Sequence, residues 1–259
     1  MPLWRTRLSL SAMVVGTLAP DFEYLIRLAP ISSFSHTLAG LFLFCLPIGF
    51  LGIWLWHALL KQALVHLLPT SHQKKLLPLC GRFRFGPASH VAVIALSVLL
   101  GACTHVAWDS FTHSYGPATK QFSMLRTSLI RTPYGSLKFY KLLQHGSTLV
   151  GLAVLVTLYM RWYARAPVPS NLASPALSTR ARLGVVSAIV ATSTIISLAF
   201  AWVKSPPWKG FNSFCTFVVT SCILGMSTLG VGFIVFSVWW FMSGRVLQMK
   251  RAQEIIEGG

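Results

Sequence analysis

The feature that most constrains this chain is the position of its few acidic residues. The chain has only two aspartates, Asp21 and Asp109, and both lie inside or beside long apolar runs. An ionisable side chain within a membrane span costs about 2.5–3.5 kcal/mol on insertion scales, so each aspartate is a functional candidate by default. Histidines lie near both of them, and carboxylates with neutral imidazoles are a typical ligand set for zinc and other divalent metals.

The composition is that of a polytopic membrane protein. Of the 259 residues, 54% are hydrophobic and 10% are charged. The formal net charge of +17 reflects a shortage of acids, and it favours contact of basic loops with anionic headgroups over nucleic-acid binding. We therefore predict an all-α integral membrane bundle whose partners are membrane lipids, with no nucleic acid among them.

Apolar segments predict about six transmembrane helices. Five segments are long enough, or nearly so, to cross a hydrocarbon core of about 30 Å. A sixth, Leu8–Ile26, is interrupted by Asp21 and Glu23. We predict a four-span core over residues 1–163, a Pro/Ser-rich linker over 164–182, and two accessory spans with a short tail over 183–259. The five longer segments are His36–Leu60, Ala88–Phe111, His145–Tyr163, Leu183–Val203 and Phe214–Ser243.

Loop charges orient the bundle. With six spans, fourteen of the 22 lysines and arginines fall on one side of the membrane and eight on the other, whereas five spans give nearly even sides. The positive-inside rule therefore favours six spans with both termini cytoplasmic, and we predict a bacterial inner-membrane location. The eight basic residues predicted outside are Arg27, Lys120, Arg126, Arg131, Lys138, Lys141, Lys204 and Lys209.

In this topology the candidate ligands converge on the outer face of the membrane. Asp21 ends the first span, His36 begins the second, His105 and Asp109 end the third, and His145 begins the fourth. We predict that Asp21, His36, His105 and Asp109 bind one divalent ion, zinc first, with His145 as a further ligand. At about 1.5 Å of rise per residue, the site lies beneath the outer surface, at headgroup or acyl-chain depth.

Two further residues are predicted to support the site. His105, Asp109 and His113 are spaced i, i+4, i+8, which places them on one helical stripe with a drift of about 40° per step. His113 and Glu23 are candidates for proton transfer or for orienting a ligand. Ser35 is a candidate cap of the second span. The remaining histidines are interpreted as interfacial or solvated: His57, His66, His72 and His90.

Four motifs carry a family resemblance: Gly16–Tyr24, Ser33–Thr37, Gly101–His113 and Tyr140–Thr148. Together they resemble the bacterial multi-pass membrane family catalogued as domain of unknown function 4184, over most of the chain. The Pro-Asp, Ser-His-Thr and His-x-x-x-Asp elements are more distantly similar to inner-membrane proteins labelled metal-dependent hydrolases. That second resemblance implies a bound metal and a hydrolytic reaction, while the closer family has no established reaction.

Three functions follow from these expectations. The first is a metal-dependent hydrolase that acts on a lipid or lipid-linked ester or phosphoester, because the predicted site lies within reach of the outer leaflet. The second is a metal or proton translocator, since intramembrane Asp/His sets also build ion pathways. The third is a structural protein in which the polar cluster only locks helices together.

Overall fold

The computed structural model describes residues 8–81, 83–132, 135–169 and 176–244. Within this part of the chain, five helices are long and apolar enough to cross a membrane, so the protein is an all-α polytopic membrane protein, as predicted. They are Leu38–Val65, Ala88–Gln121, Phe139–Arg165, Thr179–Lys209 and Phe211–Met242. In chain order the helices are α1 (Leu10–Leu18), α2 (Phe22–Arg27), α3 (Leu38–Val65), α4 (Thr70–Leu76), α5 (Ala88–Thr112), α6 (Pro117–Gln121), α7 (Phe139–Arg165), α8 (Thr179–Lys204) and α9 (Phe211–Met242).

The segment predicted as a sixth span is a broken helix. α1 ends at Leu18, a 3₁₀ turn occupies Ala19–Asp21, and α2 begins at Phe22. Pro20 lies in the turn, and proline removes a backbone donor and clashes with the preceding turn of an α-helix. The break leaves Asp21 at the junction of two short helices. This segment is not among the five span-length helices of the described residues.

The chain divides into two compact units. The first contains residues 1–21, 33–50 and 87–166, and the second contains residues 22–32, 51–86 and 167–259. The domain boundaries at 163 and 182 stay a prediction. Residues 170–175 of the predicted linker, and the arginines and lysines of both termini that entered the charge count, lie outside the described residues.

Small residues bring α1 against α5 in the first unit. A Cβ atom at Gly16 would collide with the backbone of Val98, and one at Gly101 would collide with the backbone of Met13. The backbone N–H of Ser9 donates to the Ser97 hydroxyl at 3.0 Å, which ties the two helices at the other end of the contact. Glycine at the crossing therefore permits the close approach that places the end of α1 beside the second half of α5.

A hairpin and a short helix connect α5 to α7. Strand β1 (Ser128–Thr132) pairs antiparallel with β2 (Gly135–Lys138), with an irregular register between Ser128 and Ile130. Residues 133 and 134 of its turn lie outside the described part of the chain. The connection packs on the first unit through buried Leu125, and Thr119 donates its hydroxyl to the Ser110 carbonyl at 3.1 Å.

In the second unit, α8 and α9 pack with the end of α3 around an apolar cluster of Ala63, Leu177, Phe236 and Trp240. His66 lies in this region with only 2% of its surface exposed, stacked on the Trp240 ring at 4.7 Å between centroids. The interpretation of His66 as interfacial or solvated is therefore wrong.

Candidate metal centre

The first unit brings three of the predicted ligands together. One ligand atom each from Asp21, His36 and His105 lies within 4.8 Å of the other two, a geometry in which the three residues could hold one metal ion. They come from the turn after α1, the segment before α3 and the middle of α5. Residues that are up to 84 positions apart in the sequence thus share one site.

Asp109 lies beside both histidines of this group. Its Oδ2 atom is 3.2 Å from His36 Nε2 and 3.3 Å from His105 Nε2. Asp21 Oδ1 is 3.4 Å from the same His105 nitrogen. The two carboxylate oxygens therefore cannot be farther apart than the sum of 3.3 and 3.4 Å. The two carboxylates are therefore close enough for one ion, but the group that could hold a metal contains Asp21, His36 and His105, and Asp109 as a fourth ligand stays a prediction.

The Nε2 atom of His105 has the environment of a metal ligand. It is buried and has no hydrogen-bond partner among the described residues, although two carboxylate oxygens lie 3.3 and 3.4 Å away. Hydrogen bonds from nitrogen to oxygen are typically about 2.7–3.2 Å long. Ligand atoms at about 2.0–2.1 Å from a tetrahedral zinc ion are instead about 3.3–3.4 Å from one another. The two spacings at His105 Nε2 have the length of such edges, while the contact of His36 Nε2 with Asp109 Oδ2 at 3.2 Å is a hydrogen bond.

A tight turn before α3 presents His36. Thr37, and not Ser35, caps α3, because the Thr37 hydroxyl accepts from the Gly40 N–H at 2.9 Å. The prediction that Ser35 is the cap is therefore wrong. Ser35 is fully buried, and its hydroxyl lies 2.9 Å from His36 Nδ1, so it holds the far side of the imidazole and directs Nε2 towards Asp109.

Apolar residues pack where the three elements that carry these side chains meet. Ala19, Leu41, Cys45 and Ala102 form a buried cluster at the junction of α1, α3 and α5. The Cys45 thiol also donates to the Ser35 carbonyl at 3.4 Å, which fixes the turn that carries His36. Packing rather than solvent therefore determines where the histidine lies.

A chain of polar contacts supports Asp109 from the other side. His113 Nδ1 is 3.4 Å from Asp109 Oδ1, and His113 Nε2 is 3.2 Å from the side-chain nitrogen of Gln144. The Gln144 amide must donate there, since its oxygen accepts from Lys141 Nζ at 2.8 Å. His113 therefore accepts at Nε2, and its Nδ1 atom has the Thr112 hydroxyl at 3.3 Å and the Asp109 carboxylate at 3.4 Å as neighbours. The sequence-based interpretation missed Gln144 and Lys141, although both stand in the motif that precedes His145.

The two other predicted site residues are not among the three that are grouped as a possible metal site. Glu23 is 3% exposed and accepts a hydrogen bond from Arg27 Nε at 2.8 Å, one turn further along α2. His145 is exposed on α7 and is not one of the three residues grouped as a possible metal site. The proton-transfer role of Glu23 and the ligand role of His145 stay predictions.

The comparisons with known proteins give a family without an assigned reaction. The model described as Domain of unknown function (DUF4184) matches residues 1–240. The chain belongs to this family. No curated protein and no solved structure matches it.

In this DUF4184 member, one side chain of the site is much more exposed to solvent than the other three. The side chains of His36, His105 and Asp109 are 13–17% exposed, whereas that of Asp21 is 47% exposed. The cluster is therefore enclosed on the side of α3 and α5 and open on the side of Asp21. A small molecule or a headgroup would reach it past this aspartate.

Proposed function

We propose that this protein binds one divalent cation, zinc first, between Asp21, His36, His105 and Asp109. The observation that carries the proposal is the His105 Nε2 atom, which is buried without a hydrogen-bond partner among the described residues and lies between two carboxylate oxygens. Ser35 and His113 would hold the two ligands that they contact, as outer residues commonly do at metal sites.

Charge balance supports a cation at this position. Two ionised carboxylates with two neutral imidazoles carry a net charge of −2, and burying an uncompensated charge is costly. One divalent cation cancels this charge and leaves both imidazoles neutral, which is the form that binds metal. The other way to cancel it is a proton on each imidazole, which would make the cluster a set of ion pairs that locks helices.

We further propose that the reaction is hydrolysis of a lipid or lipid-linked ester or phosphoester at the outer leaflet. When bound, a divalent cation is a Lewis acid that polarises such a bond and makes water a better nucleophile near neutral pH. The open side at Asp21 would admit the headgroup. His113 would keep Asp109 oriented, and Glu23 and His113 stay the candidates for proton transfer that the sequence predicts.

The first experiment compares metal content. Asp109→Asn keeps the volume and removes the charge, and His105→Gln removes an imidazole, so both variants should lose the metal that the wild type retains after chelator-free purification. His90→Gln, an exposed histidine at the start of α5, is the matched control and should keep it. A wild type without divalent metal would contradict the proposal.

Thermal unfolding of the same variants separates a metal site from a helix-locking cluster. If the cluster is a set of ion pairs, Asp109→Asn leaves a buried imidazolium uncompensated and changes stability without any metal being involved. If the cluster holds a cation, added zinc should raise the unfolding temperature of the wild type and leave that of Asp109→Asn unchanged.

Activity is tested separately on a panel of lipid esters and lipid phosphoesters, with released product as the readout. Hydrolysis by the wild type that is lost in Asp109→Asn and after chelation supports the enzyme. Metal binding with no hydrolysis, together with zinc or proton flux into liposomes containing the protein, would favour the translocator.

A further inference from the structure

The connection between α5 and α7 carries basic side chains and no acid of its own. The sequence holds no aspartate or glutamate between Asp109 and Glu254. The three acids that the structure describes are engaged by Arg27 and by the histidines of the site. Among the basic residues of the connection, three are exposed, and they lie on α6, on the 3₁₀ turn that follows it and on β1: Lys120, Arg126 and Arg131.

Large apolar side chains are exposed in the same short segment. Phe122 is 51% exposed, Met124 66% and Ile130 56%. Two of the candidate spans, α5 and α7, flank the connection directly, so we expect this segment to lie where the membrane meets water. Basic and apolar side chains side by side are the composition of a surface that binds anionic lipid while its apolar groups enter the interface.

The segment is held in a fixed conformation. The Phe139 N–H donates to the Thr127 carbonyl at 3.0 Å, which closes the base of the hairpin. Phe122 stacks on Phe111 of α5 with ring planes 10° apart. Together with the buried Leu125, these contacts fix the exposed basic groups relative to α5. Fixed positions lose less conformational entropy on binding than a mobile loop does.

The first turn of α7, which follows the connection directly, reaches the candidate metal centre. The Lys141 ammonium group contacts Gln144, which contacts His113, which in turn contacts Asp109. Within the first unit, the helix that follows the basic connection is thus linked through three side-chain contacts to Asp109. An anionic headgroup bound at Lys120, Arg126 and Arg131 would bring its phosphate to this end of the bundle.

We propose that these basic residues, with Phe122, Met124 and Ile130, form a docking surface for the phosphate headgroup of an anionic phospholipid. We call it the loop surface. Only the step from a bound lipid to a substrate rests on the proposed hydrolysis. If the bound lipid is the substrate, the substrate class narrows to lipids that carry a phosphate. Docking itself needs neither metal nor turnover.

The test measures binding of a short-chain phosphatidylglycerol and of the matching phosphatidylcholine to the purified full chain. The triple variant Lys120→Gln/Arg126→Gln/Arg131→Gln should bind phosphatidylglycerol at least about tenfold more weakly, because each basic residue near an anionic surface contributes about a fivefold factor. Its affinity for phosphatidylcholine should change little. The wild-type affinity for phosphatidylglycerol should also fall as the salt concentration rises.

The matched control removes the same charge from the second unit. Lys74→Gln/Arg84→Gln/Arg180→Gln replaces three exposed basic residues. This control should keep its phosphatidylglycerol affinity within about threefold, less than the factor of one basic residue at an anionic surface. If both triple variants lost the same phosphatidylglycerol affinity, net charge alone would explain the effect, and the proposal of a docking surface at this site would be wrong. Competition by glycerol phosphate as strong as that by phosphatidylglycerol would overturn its assignment to lipid.

Metal content separates this inference from the proposed function. The loop-surface variant should keep the metal and lose the lipid, while Asp109→Asn should lose the metal and keep the lipid. A loop-surface variant that binds phosphatidylglycerol normally would overturn the docking proposal and leave the metal proposal standing.

Discussion

The crossing of α1 and α5 yields the prediction that depends most directly on the packing. A methyl group added by Gly101→Ala would lie 2.9 Å from Thr17 N, whereas ordinary contact begins at 3.4 Å. The blocking atoms are backbone atoms, so α1 itself must move by about half an ångström or more. A working metal site tolerates ligand displacements of about 0.2 Å. Asp21, at the end of α1, would therefore be displaced from His105.

We expect Gly101→Ala to destabilise the protein, although alanine has a higher helix propensity than glycine. Alanine in place of glycine in a helix stabilises by about 0.5–1 kcal/mol when space is available. Overpacking costs about 1–3 kcal/mol. We therefore expect Gly101→Ala to lower the stability of the protein by about 1–2 kcal/mol and to weaken zinc binding at least about tenfold.

Gly151→Ala is the matched control. Gly151 lies within α7, and a Cβ there would meet no atom within 4 Å. This variant should unfold at or above the wild-type temperature and keep its zinc affinity. The assay is thermal unfolding in detergent with and without zinc, followed by zinc titration. If Gly101→Ala is as stable as Gly151→Ala and binds zinc as well, the close contact of α1 with α5 is refuted as the basis of the site.

Three further predictions concern single side chains. Burial lowers the pKa of His66 from 6.5 to about 4. Between pH 6.5 and pH 4, His66 is therefore protonated in the unfolded chain but neutral in the folded chain. The free energy of unfolding should thus decrease by on the order of 3 kcal/mol as the pH falls from 6.5 to 4. His66→Phe, which keeps a ring on Trp240, should remove this decrease. A wild type whose stability is as independent of pH as that of His66→Phe would contradict the prediction. Gln144→Leu should weaken zinc binding about 10- to 100-fold through His113, and a loss seen only in His145→Leu would contradict the role of Gln144. Lys120→Cys in a cysteine-free background should react with an impermeant thiol reagent in intact cells, and reaction only after permeabilisation would overturn the predicted topology.

Sequence could predict which residues meet at the site but not how each is held. The predicted alternation of the helix ends was enough to bring Asp21, His36, His105 and Asp109 together, because helix ends on the same side of a bundle can meet. The side of the membrane on which they lie stays a prediction. The rotation of α7 was not predictable, since hydropathy all around a span does not determine which side faces the bundle. Successive helical residues differ by about 100°, and the structure turns Gln144 towards His113 while the next residue, His145, is exposed.

The errors have similar physical origins. Ser35 and Thr37 are both plausible caps in sequence, and the choice follows from the turn that buries Ser35 against Cys45. Nothing in the local sequence of His66 indicates the Trp240 ring, which is 174 positions away in the chain. The first apolar run meets the composition of a span, but Pro20 ends its helix after Leu18.

Zinc X-ray absorption on the purified wild-type protein tests the central claim most directly. We expect one zinc per chain, bound only by nitrogen and oxygen at about 2.0–2.2 Å, with outer-shell scattering from two imidazoles. None of the five cysteines is assigned to the site, so no sulfur at about 2.3 Å should be present. A zinc-free protein after chelator-free purification, or a sphere that contains sulfur, would contradict the assignment of the site to Asp21, His36, His105 and Asp109.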